Sequence, residues 1–325
     1  MSSRGAALVL GYPSAVSQST AMELLENNCT VYLLISQDEY SQAGVLKKRF
    51  GKKLQLVVGR GDALDFGLTG KEYLKIAGEV ELVFSLYAKW EGLRGSDFES
   101  LHVRELVEIC KVARRVKRLL YLSDFSFTHG FEGIVAEHDL DIPSASLLEK
   151  NAPFRIERVL SRFRNTFPIT VVRAGTMVGC VQTLFPLILM ALAYPEQFGK
   201  SSGSLLMADV EWVARLVVEI ARHSEPGHTF HLFQQAFSPA ELGVKLTHLA
   251  RAQVPGTYDL RAAARRALKS KGNVPKQLSA AQIEAKVENA WTNSYFRAHN
   301  FLNCDVALNW QPLVENEVEK LTGFR

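Results

Sequence analysis

Near its amino end the chain reads AALVLGYPSAVS, residues Ala6–Ser17. The first part, Ala6–Leu10, is a continuous apolar run that stops at Gly11, which is typical of a strand buried on both faces of a sheet. After the turn, Ser17–Asn27 places apolar side chains on one face and predicts a helix. A buried strand joined to a helix through a glycine turn indicates the first unit of a parallel α/β sheet.

The same alternation continues along the chain. Further apolar runs with the length of buried strands are Cys29–Ile35, Gln55–Val58, Glu81–Leu86, Arg118–Leu122, Ile169–Arg173 and His228–Phe233. Helical patterns separate them, and helices are also predicted at Asp209–His223, Ala240–Ala252, Leu260–Lys269 and Ala280–Trp291. Strands that alternate with helices favour right-handed crossovers and a doubly wound, mostly parallel sheet.

The order of these elements also predicts the domain organisation. Residues 1–175 plus 205–236 supply the sheet domain, and residues 176–204 plus 237–325 supply a smaller, mainly helical subdomain that contacts substrate or partner. A length of 325 residues fits this division, because a single core stops growing near that size.

Composition narrows the classes of function. The formal net charge of +4 is too small to indicate nucleic-acid binding. The four cysteines lie far apart without a paired motif, so we expect neither a disulfide framework nor a metal site. The amino end lacks the pattern of a signal peptide, and we expect a cytoplasmic protein.

Two segments have a second interpretation. The apolar run Thr176–Tyr194 is long enough to cross a membrane, but polar residues and Pro186 interrupt it, so we predict a buried helix and no transmembrane segment. The basic segment Arg261–Lys276 could contact phosphate or a membrane surface. We interpret it as a solvated helix face with a loop, because no aromatic residues alternate with its charges.

Several segments in order resemble a known family: Val57–Asp62, Val116–Ser123, Ile169–Gly175, Ala208–Ala214 and Asn300–Asp305. With the glycine turn at Gly11, the chain resembles the extended short-chain dehydrogenase/reductase family, and within it the NAD-dependent epimerase/dehydratase and thioester-reductase-like branch. The resemblance implies a Rossmann fold, NADP or NAD as cofactor, and reduction of a small, hydrophobic carbonyl or thioester substrate.

The cofactor loop departs from the family pattern T-G-x-x-G-x-x-G. Gly11 is retained, while Ser14 and Ser17 stand where the other two glycines would be. The resemblance places the cofactor on these and neighbouring positions, which are Gly11, Tyr12, Pro13, Ser14, Ala15, Val16, Ser36, Asp62 and Ala88. Two alternatives stay open: the loop only turns strand into helix, and Asp62 only caps a turn.

The family's catalytic positions are also replaced. Its Tyr-x-x-x-Lys pair, in which the ammonium assists proton transfer by the phenol, falls on Glu149 and Pro153. Its Ser position falls on Phe125, and its supporting Asn falls on His102. The candidates that remain for catalysis are Ser123, Ser126, Glu149 and His138.

Three functions therefore remain open. The first is a divergent reductase. The second is a catalytically inactive ligand-sensing or partner-binding protein. The third is a non-redox isomerase or lyase that uses Glu137, His138 or Glu149, with His129 nearby. Tyr87 and Tyr121 could replace the lost phenol, although core packing is the commoner role for such residues. A homodimer also stays an open alternative.

Overall fold

The chain folds around a parallel sheet. A computed structural model describes residues 5–87, 96–125, 133–135, 137, 152–178, 191–195, 205–254, 259–270 and 294–296. The sheet strands are β1 (Ala6–Leu10), β2 (Thr30–Ile35), β3 (Leu54–Val58), β4 (Val80–Ser85), β5 (Arg118–Asp124), β7 (Ile169–Ala174) and β10 (Thr229–Leu232). Their spatial order is β10-β7-β5-β4-β1-β2-β3, and every neighbouring pair is parallel. The predicted Rossmann architecture is confirmed.

Strand order reverses at β1, whose neighbours are β2 and β4. Open α/β sheets bind ligands in the crevice at such a reversal, beyond the carboxyl ends of the strands. Leu10, the last residue of β1, pairs with Ser85, the last residue of β4. The loops after these two strands therefore border the crevice.

Helices cover both faces of the sheet. They are α1 (Ala15–Glu26), α2 (Tyr40–Phe50), α3 (Gly70–Glu79), α4 (Ser96–Val112), α5 (Ala152–Ser161), α6 (Val210–His223), α7 (Pro239–Ala252) and α8 (Leu260–Ser270). Buried residues of α1 and α6 share one core cluster with the strands, while those of α3, α4 and α5 belong to a second cluster.

A small second sheet corrects one prediction. Thr176–Val178 forms strand β8 rather than the start of a helix, and it pairs in parallel with β9 (Leu205–Asp209), which pairs antiparallel with β11 (Gln235–Phe237). The β-branched residues Thr176 and Val178 favour this extended conformation. Ala191–Ala193 are helical and buried, and residues 179–190 lie outside the described part of the chain.

This second sheet joins the two predicted domains. Strand β8 lies in the predicted subdomain segment 176–204, and its partner β9 lies in the predicted sheet-domain segment 205–236. The division into domains stays a prediction. Another short pairing, β6 (Gly133–Val135) with β12 (Ser294–Phe296), connects distant parts of the sequence. Within the described residues, no helix is long and apolar enough to cross a membrane.

The basic segment has a structural role that its pattern did not indicate. Arg261 and Arg265 of α8 both donate to the carbonyl of Ala193, at 3.4 and 3.2 Å. The Arg265 guanidinium also lies over the ring of Tyr194, 5.4 Å from its centroid. These arginines dock α8 onto residues 191–194, so this part is not merely a solvated face; residues 271–276 lie outside the described ranges.

A buried ion pair joins α5 to the sheet. The guanidinium of Arg173, on β7, donates to both carboxylate oxygens of Glu157, on α5, with a shortest distance of 2.6 Å. Both side chains are fully buried. A charge buried without its partner is costly, so each member of the pair requires the other.

We expect Glu157→Gln to lower the free energy of unfolding by about 3–5 kcal/mol, because the Arg173 charge is then buried without compensation. Glu26→Gln is the matched control, since it breaks an exposed pair with Arg49, whose N···O distance is 3.1 Å. That control should cost less than about 1 kcal/mol. Urea unfolding measures both, and equal losses in the two variants would contradict this account of the pair.

Candidate functional site

The turn after β1 passes very close to the end of β4. Gly11 has a φ of 107°, and a Cβ atom at this position would lie 2.4 Å from the carbonyl oxygen of Leu86. Both the left-handed conformation and the close approach require glycine. The turn therefore fits against the end of β4 because a glycine, Gly11, stands at the point of contact.

Ser14 has two structural roles at the start of the first helix. It is the N-cap of α1, which begins at Ala15 and not at Ser17 as predicted. Its hydroxyl donates to the carbonyl of Leu86 at 3.0 Å and accepts from the amide of Ser17 at 3.3 Å. One side chain thus stabilises the first turn of α1 and attaches it to β4.

Ser17 occupies the third glycine position without disturbing the packing. It is fully buried, and its hydroxyl donates to the carbonyl of Ser14 at 2.8 Å. Pro13 is exposed, and its carbonyl accepts from the Gln18 side chain at 2.8 Å. Tyr12 is buried in the core cluster of α1 and α6. Tyr12 and Ser17 therefore pack into the protein, while Pro13 lies at the surface.

The amino end of α1 carries two available donors. Within the described part of the chain, no acceptor bonds to the backbone amides of Ala15 and Val16. The first amides of a helix, together with its dipole, form an anion-binding site when no side chain occupies them. The arrangement can hold one phosphate or a diphosphate at the crevice.

An acidic side chain lies at the end of β2, one residue beyond the position that sequence reasoning considered. Ser36 begins a 3-10 turn, Gln37–Glu39, and its amide donates to the Glu39 carboxylate at 2.7 Å. Burial and, secondarily, the Glu39 charge raise the pKa of Tyr12. The Glu39 carboxylate is thus folded back onto Ser36 and is half-buried, whereas Asp38 is exposed.

Asp62 follows β3 and forms a two-point ion pair with a close neighbour. The Arg60 guanidinium donates to both of its carboxylate oxygens, at 3.0 and 2.8 Å. Arg60 is well exposed while Asp62 is only 19% exposed. The pair orients the carboxylate but contributes little stability, because water screens it.

A chain of hydrogen bonds runs from β4 to the peptide before Asp62. His102, on α4, has Nδ1 2.9 Å from the Gly61 carbonyl oxygen and Nε2 2.9 Å from the Ser85 hydroxyl oxygen. A carbonyl only accepts, so Nδ1 carries the proton, Nε2 accepts, and Ser85 donates. His102 is fully buried, and burial lowers its pKa from 6.5 to about 4, which keeps the ring neutral at physiological pH.

Tyr87 completes this cluster. Its ring meets that of His102 edge to face, with centroids 5.1 Å apart, and its hydroxyl is hydrogen-bonded to the backbone of Gly61. Burial, Asp62 and Glu39 raise the pKa of the phenol, in that order of size. Tyr87 therefore remains protonated and is a poor substitute for the family's activated tyrosine.

Near the crevice, strand β5 carries one polar side chain, that of Ser123, and packed side chains surround it. Ser123 is 3% exposed, and within the described residues its hydroxyl has no hydrogen-bond partner. In register beside it are Arg173 on β7 and His231 on β10, and Arg173 Nη1 lies 3.1 Å from His231 Nε2. Phe125 covers His231 edge to face, with centroids 5.1 Å apart.

Pro153 and Tyr121 meet at the start of α5. Helix α5 begins at Ala152, so Pro153 lies in its first turn, where proline is tolerated. The Tyr121 hydroxyl donates to the Pro153 carbonyl at 3.1 Å, and Tyr121 is fully buried. Tyr121 is therefore a core residue, as the commoner interpretation of the sequence expects.

Several predicted site residues lie outside the described ranges: Ala88, Ser126, His129, His138 and Glu149. Glu137 is described, and its carboxylate accepts from the backbone amide of His231 at 3.0 Å. It therefore contributes to holding β10 in place. Within the described part of the chain, no cluster of three or more His, Cys, Asp or Glu side chains could hold a metal ion.

Solved structures with the same fold are reductase and epimerase proteins. The reductase domain of a nonribosomal peptide synthetase from Mycobacterium tuberculosis has a TM-score of 0.69 at 15% identity, over 98% of this chain and 92% of that one. The reductase domain of an aureusimine biosynthetic cluster has a TM-score of 0.66 at 13% identity, over 99% and 92%.

A nucleoside-diphosphate-sugar epimerase from Pseudomonas aeruginosa gives 0.63 at 15% identity, over 99% and 100%. No protein-family model and no curated protein matches the sequence. The comparisons thus confirm the fold that the resemblance implied, across nearly the whole chain. At these identities they carry no residue roles.

We expect Gly11→Ala to lower the free energy of unfolding by about 2–4 kcal/mol, because the new Cβ collides with the Leu86 carbonyl in a left-handed backbone. Gly44→Ala is the control: it lies within α2 with nothing within 4 Å, and it should stabilise by about 0.5–1 kcal/mol. Chemical denaturation checks both. A tolerated Gly11→Ala would show that the turn does not depend on contact with β4.

Proposed function

We propose that this chain binds a nicotinamide dinucleotide across the carboxyl ends of β1 and β4, with the pyrophosphate at the amino end of α1. The observation that carries the proposal is the pair of Ala15 and Val16 amides, which lack acceptors among the described residues at the point where the sheet order reverses. A helix start in that place favours a negatively charged group.

The altered loop fits such a group. The Ser14 hydroxyl accepts from the Ser17 amide and donates to Leu86, and it makes no bond to the amides of Ala15 and Val16. The absent Cβ of Gly11 allows the turn to lie against β4. Ser17 is small enough for close packing of the helix on the sheet. These contacts support retention of phosphate binding despite the loss of two glycines.

We further propose that the bound cofactor exchanges hydride with a small, hydrophobic carbonyl or thioester substrate. The reductase domains that share the fold support this class of reaction. When bound, the cofactor supplies the hydride. Ser123 is the described hydroxyl best placed to contact the substrate oxygen, because it lies one residue before the carboxyl end of β5 and has no hydrogen-bond partner among the described residues. A movement must uncover it first, since its oxygen is buried.

A specific observation favours a second candidate function, namely dinucleotide sensing without turnover. Phe125 packs on His231, and Tyr121 bonds to the Pro153 carbonyl, so the positions of the usual proton relay are used for packing. Both functions require the same cofactor site. They differ in whether the protein oxidises NADH when a long-chain acyl thioester is added. A fall in the NADH absorbance would show this oxidation.

Ala15→Pro tests the phosphate site by removing one backbone donor. Proline is favoured at the first helical position, and Ser14 has the extended conformation that precedes proline. We expect α1 to remain folded, while the dissociation constant for NADH rises about tenfold or more, because a hydrogen bond to a charged group is lost. Quenching of tryptophan fluorescence by NADH measures the constant.

Gly70→Pro is the matched control, since it places proline at the first position of α3, after the extended cap residue Thr69 and with nothing within 4 Å. Its affinity for NADH should equal that of the unmodified chain. If Ala15→Pro binds NADH as tightly as Gly70→Pro, the cofactor does not contact the amino end of α1.

The Glu39 carboxylate supports NAD rather than NADP. An acid at the end of the second strand of this fold bonds ribose hydroxyls and repels a 2′-phosphate. Glu39 is half-buried, and its charge acts on both Tyr12 and Tyr87, which border the crevice. No basic side chain of the 3-10 turn opposes it, since that turn reads Gln37-Asp38-Glu39.

We expect Glu39→Gln to narrow the preference for NADH over NADPH by about tenfold, because the repulsion of the additional phosphate is relieved. Asp38→Asn, at the exposed neighbouring position, should change the preference little. The dissociation constants of both nucleotides for the three proteins provide the check. A preference for NADPH in the unmodified chain would refute the assignment.

A further inference from the structure

The position of Asp62 depends on two side chains of the β4–α4 unit. His102 donates to the Gly61 carbonyl, and the Tyr87 hydroxyl is hydrogen-bonded to the Gly61 backbone. Both side chains thus hold the backbone of Gly61, the residue before Asp62. Gly61 is also required sterically, because a Cβ there would lie 2.1 Å from the Tyr87 hydroxyl oxygen. The peptide that leads into Asp62 cannot rotate without breaking these contacts.

The contacts of His102 and Tyr87 with Gly61 form a clamp on this residue. On the His102 side, the clamp belongs to the buried core of the fold. His102 is fully buried, and Ser85, whose hydroxyl donates to its Nε2, is the last residue of β4 and is also fully buried. The Asp62 side chain is oriented separately by Arg60, which is well exposed and therefore a weak constraint. The strong constraint on Asp62 thus reaches its backbone through His102.

We propose that His102 is a positioning residue for the adenosine half of the dinucleotide, acting through Gly61 on the carboxylate of Asp62. The inference rests on the proposed function, which puts the pyrophosphate at α1 and the adenosine ribose at Glu39 beyond β2. The end of β2 pairs with the end of β3, the strand that leads to Asp62. It adds a residue that touches no ligand but determines where the carboxylate after β3 stands. The pyrophosphate contacts at Ala15 and Val16 lie on α1 and do not depend on this clamp.

The experiment separates the two halves of the cofactor. The probes are ADP-ribose, which contains the adenosine and both phosphates, and nicotinamide mononucleotide, which contains neither adenine nor its ribose. Ligand-observed NMR gives both dissociation constants. For His102→Ala we expect that of ADP-ribose to rise at least tenfold and that of nicotinamide mononucleotide to stay within about twofold of the original, since a lost buried hydrogen bond is worth roughly this much.

Rescue and control variants exclude a general loss of structure. His102→Asn retains an amide donor for the Gly61 carbonyl and should recover part of the ADP-ribose affinity. Ser85→Ala removes the hydroxyl that bonds to Nε2 of His102, but leaves the bond from Nδ1 to Gly61, and should weaken ADP-ribose binding less than His102→Ala does. His223→Ala, on the exposed end of α6, should leave both constants unchanged.

The outcomes are distinguishable. Equal weakening of both probes by His102→Ala, or no weakening of either, would overturn the positioning role. If the unmodified chain binds neither probe, the proposed function fails and the role of His102 fails with it. Should His102→Ala not fold, nitrogen-15 NMR of the histidine rings in the unmodified chain decides: a proton on Nδ1 of His102 supports the clamp, and a proton on Nε2 overturns it.

Discussion

The contact between the β1 turn and the Leu86 carbonyl is the constraint on which the rest of the site depends. Gly11 allows the backbone to approach this carbonyl, and the Ser14 hydroxyl donates to it. Because Ser14 is also the cap of α1, the same contact determines where the helix begins and which way its first amides face. The crevice at the strand reversal therefore opens onto a helix start held in place by β4.

The two sides of the crevice differ in structure. On the α1 side, Ser14 and Ser17 are hydrogen-bonded within the turn, and the first amides of the helix have the arrangement that suits an anion. On the α5 side, Pro153 and Phe125 contribute to packing near the Arg173–Glu157 pair. The proposed dinucleotide site therefore rests on the α1 side alone.

The sequence predicted the strands well because most are short apolar runs buried on both faces; β1, for example, was placed at its observed limits. It did not predict the role of Ser14, because the partner, Leu86, is 72 residues away. Glu39 was missed because a 3-10 turn, which its sequence pattern did not indicate, folds its carboxylate back onto the Ser36 amide. Thr176–Val178 was taken for helix, since an apolar run alone does not distinguish a helix from a strand. The Arg173–His231 contact joins two strands and carries no local signal.

The central claim is that a dinucleotide binds at the amino end of α1 although the usual proton relay is absent. A titration of the nitrogen-15-labelled chain with NADH, followed through its backbone amide resonances, tests this claim most directly. The account predicts saturable shifts that are largest at Ala15 and Val16 and that extend to Gly11. Saturation with these amides unmoved, or the absence of any saturable shift, would contradict it.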